Sequence, residues 1–146
     1  MMEIIKQVLF AFISTVGFSI LFTTPKDSII KASIVGSAGW GIYYITQLIF
    51  NNNIISTLFA SVSVGIIGEL FAKHYKKPAT VFIIPGIIPL VPGAGMYYTM
   101  LELVEKNYYA AADKGTETFF IAASISIGLI ISTTLSTSIK RVKNKN

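Results

Sequence analysis

The sequence contains no cysteine and only one histidine, His74. Disulfides and thiolate metal sites are therefore excluded, and one histidine is too few for a metal site built from several histidines. The chain also lacks an H-E-x-x-H motif, paired aspartates and a serine–histidine combination of the kind that hydrolases use. We therefore expect no metal ion, no cofactor and no enzymatic activity.

Charged residues are also scarce. They make up 13% of the 146 residues, whereas hydrophobic residues make up 53%. A soluble domain carries about 25% charged residues to cover its surface, so much of this chain must face lipid. The net charge of +5 comes from lysines and arginines that stand between apolar runs. Because they form no continuous basic face, nucleic acid is not an expected partner.

Five apolar segments are long enough to cross a bilayer, which takes about 20 mostly apolar residues. The sequence therefore predicts an all-α fold, a polytopic membrane bundle of five spans that forms a single transmembrane domain over residues 1–146. No small-residue cleavage site follows the first segment, so we expect a retained span and not a signal peptide. The predicted spans cover residues 8–24, 32–50, 54–72, 79–104 and 118–139.

Lysine and arginine are distributed unequally between the two ends of these five segments. One side would carry three of them, Lys6, Lys106 and Lys114. The other side would carry nine, namely Lys26, Lys31, Lys73, Lys76, Lys77, Lys140, Arg141, Lys143 and Lys145. Since positively charged loops remain in the cytoplasm, we expect a multi-pass protein of the inner (plasma) membrane with its N-terminus outside and its C-terminus in the cytoplasm.

Small residues recur every four positions on four of the segments, which places them on one face of each helix. Such faces let helices approach closely in lipid. The alternative interpretation is that some of these hydroxyl groups line a polar path. The faces comprise Ala11, Thr15, Ser19 and Thr23; Ser33, Ser37 and Gly41; Thr57, Ser61 and Gly65; and Ser124, Gly128, Ser132 and Ser136.

The fourth segment is rich in proline and glycine. Each proline lacks an N–H and clashes with the carbonyl four residues earlier, so a continuous helix would leave the carbonyls of Val81, Pro85 and Ile88 without donors. Unsatisfied backbone groups cost on the order of several kcal/mol in hydrocarbon. We therefore expect a broken span that faces the protein interior, with a short helix over residues 79–84, an irregular middle and a second helix over residues 94–104.

Such a break presents backbone groups of both kinds. The N–H groups near residues 93–95 would suit a carboxylate, and the freed carbonyls would suit an ammonium group or a cation. Many secondary transporters build their substrate site in this way. The alternative is a proline kink that only shapes the bundle. The predicted path-lining residues are Pro85, Gly86, Pro89, Pro92, Gly93 and Gly95.

Residues 81–97, VFIIPGIIPLVPGAGMY, resemble the signature of the threonine/serine exporter family in its short-subunit branch. The runs at residues 65–70 and 16–22 fit the same pattern, so the resemblance covers essentially the whole chain. It implies proton-driven export of small amino acids such as threonine and serine, and a related branch moves dicarboxylates. Long members fuse two membrane halves, and this chain resembles the second half. Tyr97 matches the aromatic residue that follows the signature and is added to the predicted site.

Glu69 is an acidic residue inside the third predicted span, three or four residues from its cytoplasmic end. Ionisable groups within the membrane are costly, so Glu69 is a candidate for the solute path. The alternative is that it pairs with Lys73 one turn later or reaches the membrane surface.

The leading hypothesis is a transporter subunit that exports threonine- or serine-like amino acids. The expected partners are the lipid bilayer, a small solute, and a second subunit carrying the first membrane half or a second copy of this chain. The alternatives are a dicarboxylate exporter subunit and a scaffold or accessory subunit that transports nothing.

Overall fold

The computed structural model describes the backbone of residues 2–143 and the side chains of residues 2–138, and in this part the chain is helical without a strand. The predicted all-α fold is therefore confirmed. A 3-10 turn at Ile88–Leu90 follows the fourth helix. The helices are α1 (Met2–Leu21), α2 (Lys26–Phe50), α3 (Asn53–Tyr75), α4 (Thr80–Ile87), α5 (Gly93–Val104) and α6 (Tyr108–Lys143).

Among these helices, α1, α3 and α6 are long and apolar enough to cross a membrane. The bent pair formed by α4 with its 3-10 turn and by α5 adds a fourth candidate span if it is counted as one. The chain is therefore a multi-pass membrane protein with three to four candidate spans, fewer than the five that the sequence predicted. The difference lies in α2, which has 25 residues but is not among the helices that are apolar enough.

The position of α2 explains its composition. It contacts α1, α3 and α4, and its buried residues are mainly small: Ser28, Ala32, Ser33, Val35, Gly36, Ser37 and Gly39. A helix that is surrounded by other helices can carry small and polar residues, because close backbone approach stabilises membrane bundles. The serines, glycines and threonine of α2 lower its hydropathy, and its position between other helices explains why they are present.

The small-residue faces pack against neighbouring helices. On α1 the buried residues are Ala11, Thr15 and Ser19. Between α3 and α6, a Cβ added at Gly65 would overlap Ser132, and one added at Gly128 would overlap Ser61. The Ser61 hydroxyl donates to the Ser124 carbonyl across this interface at 3.3 Å. These contacts support the interpretation that the faces serve close packing.

The fourth segment is broken, but further along the chain than the sequence predicted. Helix α4 continues through Pro85 to Ile87, and the bend of 50° falls between Leu90 and Gly93. The prediction that the carbonyls of Pro85 and Ile88 lack donors is wrong. The Ile88 N–H donates to the Pro85 carbonyl, and the Val91 N–H donates to the Ile88 carbonyl. The 3-10 geometry thus recovers hydrogen bonds that an α-helix would lose to proline.

The segment predicted as a loop over residues 105–117 is mostly helix, since α6 begins at Tyr108. With 36 residues, α6 is about 54 Å long, well beyond the roughly 30 Å of a hydrocarbon core. Because α6 is longer than a hydrocarbon core, we expect its charged first turns to lie outside the lipid. The basic residues of its last turns and of the tail (Lys140, Arg141, Lys143 and Lys145) have side chains outside the described residues.

At the opposite end from residues 51–53, Lys77 ties the α3–α4 connection to the start of α2. Its ammonium group donates to the Asp27 carboxylate and, at 2.8 Å, to the Ser28 hydroxyl. The hydrogen bond from Lys77 holds the pKa of the Asp27 carboxyl below its usual value. Asp27 precedes the apolar part of α2, so this link lies at the polar end of that helix.

Candidate functional site at the helix break

A cavity of about 430 Å³ lies beside the break of the fourth segment. Residues 89–95 form one wall through the 3-10 turn, the bend and the first turn of α5. Side chains from α2, α3, α5 and α6 form the other walls, namely Trp40, Tyr43, Asn53, Thr57, Tyr98, Lys114, Glu117, Thr118 and Ile121. The break therefore creates a recess that four helices share.

Four of the eight predicted site residues line this cavity, namely Pro89, Pro92, Gly93 and Gly95. Pro85 and Gly86 lie instead in the bundle core, where a Cβ on Gly86 would stand 3.0 Å from Val35 Cγ1. Tyr97 is 63% exposed and does not line the cavity, whereas its neighbour Tyr98 does.

The glycines at the break have different surroundings. A Cβ on Gly93 would meet no atom within 4 Å, so the space beside it is open. A Cβ on Gly95 would overlap the Thr118 hydroxyl, so glycine at this position lets α5 approach α6. No described glycine has a positive φ, so none of them is needed for a backbone conformation that other residues avoid. Space, and not backbone freedom, is what these residues provide.

The cavity contains one cationic group, the ammonium of Lys114. Its Nζ pairs with Glu102 Oε1 of α5 at 2.8 Å and lies 5.1 Å from the centre of the Tyr98 ring. The second oxygen of Glu102 accepts from Asn107 Nδ2 at 3.0 Å. Glu102 is thus held from two sides, and it fixes the position of Lys114.

The cavity also contains a carboxylate, that of Glu117. Glu117 Oε1 accepts from Asn53 Nδ2 at 2.8 Å, and Asn53 Oδ1 accepts from the Tyr43 hydroxyl at 3.1 Å. The Tyr43 ring stacks on Trp40 with 5.0 Å between ring centres. This chain of contacts joins α2, α3 and α6 and holds the carboxylate in place.

Glu69 lies in a different place. It lines a smaller space of about 220 Å³ between α3 and α6, where the Ser136 hydroxyl donates to Glu69 Oε2 at 3.1 Å. Thr57, the α3 residue of the main cavity nearest to it in sequence, is twelve residues away, which corresponds to about 18 Å along the helix. Glu69 therefore cannot touch a small molecule that sits at the helix break.

The sequence did not predict the charged residues of the cavity. It indicated Lys114 only as a charge between two spans, and it indicated no site role for Glu117, Asn53 or Thr118. The available signal was that Lys114 and Glu117 stand three residues apart, which places them on one side of a helix. That signal becomes informative only once residues 108–117 are recognised as helical.

The charges and the backbone give this site a mixed character. It presents a cation, an anion, aromatic rings and the first turn of α5, where Pro92 supplies no side-chain cap. The Gly93 N–H of this turn donates to the Val91 carbonyl at 2.8 Å. The other first-turn N–H groups of a helix have no intrahelical acceptor. The arrangement can accept a small molecule that carries both a positive and a negative group.

Comparison with known proteins places this architecture in a family. A family model described as Threonine/Serine exporter, ThrE, matches residues 7–135. A Haemophilus influenzae protein described as uncharacterized is 27% identical over 138 residues, which cover 90% of this chain and 45% of that protein. The chain thus spans about half the length of this curated relative. No solved structure is significantly similar. The family is one of membrane exporters and not a class of enzymes, and this chain belongs to the threonine/serine exporter family.

Proposed function

We propose that this chain is one membrane half of a secondary transporter that exports small amino acids such as threonine and serine. The observation that carries the proposal is the cavity of about 430 Å³ at the broken helix, with Lys114 and Glu117 on its walls. Ligand sites commonly occupy about 300–1,000 Å³ and combine apolar walls with a few placed polar groups. A small zwitterion matches this size and both signs of charge.

The proposal includes five membrane-crossing segments, with α2 as one of them. At 25 residues α2 is about 37 Å long, enough for a hydrocarbon core of about 30 Å. The lysine and arginine distribution then puts the Asn51–Asn53 connection and the start of α6 outside. Asn53, Lys114 and Glu117 belong to this side, so the cavity would open toward the exterior of the cell.

A partner is part of the proposal. Helix α5 has no buried residue and packs mainly on α6, which leaves the cavity open on one side. The chain also spans only about half the length of its curated relative. Both observations support a second subunit, or a second copy of this chain, that completes the solute path.

The test is to substitute Gly93 with leucine. Because the space beside Gly93 is open, Gly93→Leu should fold and insert normally while its side chain fills the cavity. With the partner subunit co-expressed, we expect threonine export to fall at least about ten-fold at an unchanged amount of protein in the membrane.

Gly17→Leu is the matched control. Gly17 lies on the exposed side of α1, and a Cβ there also meets no atom within 4 Å. The same added bulk should leave export unchanged at this position. Normal export by Gly93→Leu would remove the cavity from the solute path and favour the scaffold or accessory role.

A further inference from the structure

Lys114 and Glu117 face the same cavity but are held by different helices. They stand three residues apart on α6. Lys114 pairs with Glu102 of α5 at 2.8 Å, whereas Glu117 accepts a hydrogen bond from Asn53 of α3 at 2.8 Å. Each charge on the cavity wall thus has its own partner on a different helix.

Glu117 keeps acceptor capacity that its neighbours do not use. An ionised carboxylate has about four lone-pair positions, and Asn53 Nδ2 occupies one of them through Oε1. Asn53 is itself oriented by Tyr43 at 3.1 Å. The Asn53 amide is neutral and brings no positive charge to this carboxylate, so a positively charged group of a solute can meet it.

The charges at and beside the cavity favour an amino acid over a dicarboxylate. Glu102 does not line the cavity but pairs with Lys114 beside it. Lys114 contributes one positive charge, while Glu102 and Glu117 contribute two negative ones. This cluster of three side chains therefore carries a net charge of about −1. The ammonium group of a solute would offset the negative charge of Glu117. A dicarboxylate would instead add two negative charges to a site that is already negative.

We propose that Glu117 recognises the ammonium group of the exported solute and is the residue that favours amino acids over dicarboxylates. Asn53 and Tyr43 are positioning residues that aim its carboxylate. Lys114, held by Glu102, meets the carboxylate of the same solute. This inference rests on the proposed transport function, and it adds the solute group that one side chain binds.

The test measures selectivity in proteoliposomes that contain the chain together with its partner subunit. L-threonine and succinate serve as the two probes. Glu117→Gln keeps the shape and the oxygen that accepts from Asn53 but removes the charge. Because hydrogen bonds to charged groups are stronger than neutral ones, we expect the half-saturating concentration of threonine to rise at least about ten-fold, while half-saturation by succinate, where it is transported, does not rise.

Two further variants separate recognition from structure. Glu117→Asp keeps the charge and should recover part of the threonine affinity that Glu117→Gln loses. Tyr43→Phe removes the hydroxyl that orients Asn53 and should raise the half-saturating concentration by a smaller factor. Asp113→Asn is the matched control, since Asp113 is exposed on the same helix one turn away and does not line the cavity. It should leave both values unchanged.

The outcomes distinguish this inference from the transport proposal. If Gly93→Leu abolishes export but Glu117→Gln keeps the threonine half-saturation of the unmodified chain, Glu117 is not the recognition residue. A loss that is confined to the maximal rate, with unchanged half-saturation, also overturns the inference. If Gly93→Leu exports normally, the transport proposal itself fails.

Discussion

Glycine 65 illustrates how single residues set the distance between helices in this bundle. A Cβ at this position would overlap Ser132 of α6, and Gly128 has the reciprocal relation to Ser61 of α3. Interiors that are packed this closely do not absorb added atoms without shifts. Small side chains on both helices are therefore a condition for the α3–α6 contact.

The α3–α6 contact predicts that one added methyl group at Gly65 lowers the stability of the bundle. Gly65→Ala should destabilise the bundle by about 1–3 kcal/mol, the usual cost of overpacking. Thermal unfolding in detergent would register it as a lower midpoint. Adding Ser132→Gly should restore most of the loss, because it removes the atoms that the new methyl group meets. Gly17→Ala is the control and should not lower the midpoint. If Gly65→Ala unfolds like the unmodified chain, the packing described here is wrong.

At the scale of elements, the break in the fourth segment determines the site. Helix α4 lies in the core with Phe82, Ile83, Pro85 and Gly86 buried, whereas α5 has no buried residue. The bend of 50° turns the chain from the centre of the bundle toward α6. The 3-10 turn makes this change possible without leaving the carbonyls of Pro85 and Ile88 unpaired. The site forms where the two halves separate.

The proposed orientation of α3 and α6 predicts on which side of the membrane each helix end lies. Tyr109, which is 92% exposed at the start of α6, should lie outside the cell, and His74 at the end of α3 should lie in the cytoplasm. The chain has no native cysteine, so Tyr109→Cys and His74→Cys give single-cysteine variants. A membrane-impermeant maleimide should label Tyr109→Cys in intact cells, and His74→Cys only after permeabilisation. The reverse pattern would invert the proposed topology.

The fold and the site were predictable from sequence to different extents, for physical reasons. Proline and glycine predicted the broken segment correctly, since a proline without an N–H disrupts the helix at its own position. The sequence predicted five spans and the structure has three to four candidates. The difference arises because α2 packs between other helices, where small residues replace apolar ones. Lys114 and Glu117 were not predicted as site residues, because their place on the cavity wall depends on α3 and α5 lying beside α6. Such contacts between distant parts of the chain have no local signal.

At the scale of the whole molecule, the proposed function requires the chain to act as one part of a larger assembly. It spans about half the length of its curated relative, and its cavity is open beside the weakly packed α5. A binding site between two membrane halves can be exposed to each side in turn when one half moves against the other. In the proposed transporter, the mixed charges of the cavity would bind the solute and a partner would close the path around it.

The most direct test of the central claim is protection of a cysteine at the helix break by the solute. Gly93→Cys places one thiol in open space on the cavity wall of a chain that has no other cysteine. In membranes that contain the partner subunit, a maleimide should label this thiol, and L-threonine should slow the labelling several-fold. Tyr109→Cys, which lies outside the cavity, should be labelled at the same rate with or without threonine. A Gly93→Cys labelling rate that threonine leaves unchanged, or a thiol that the reagent cannot reach, would contradict the account.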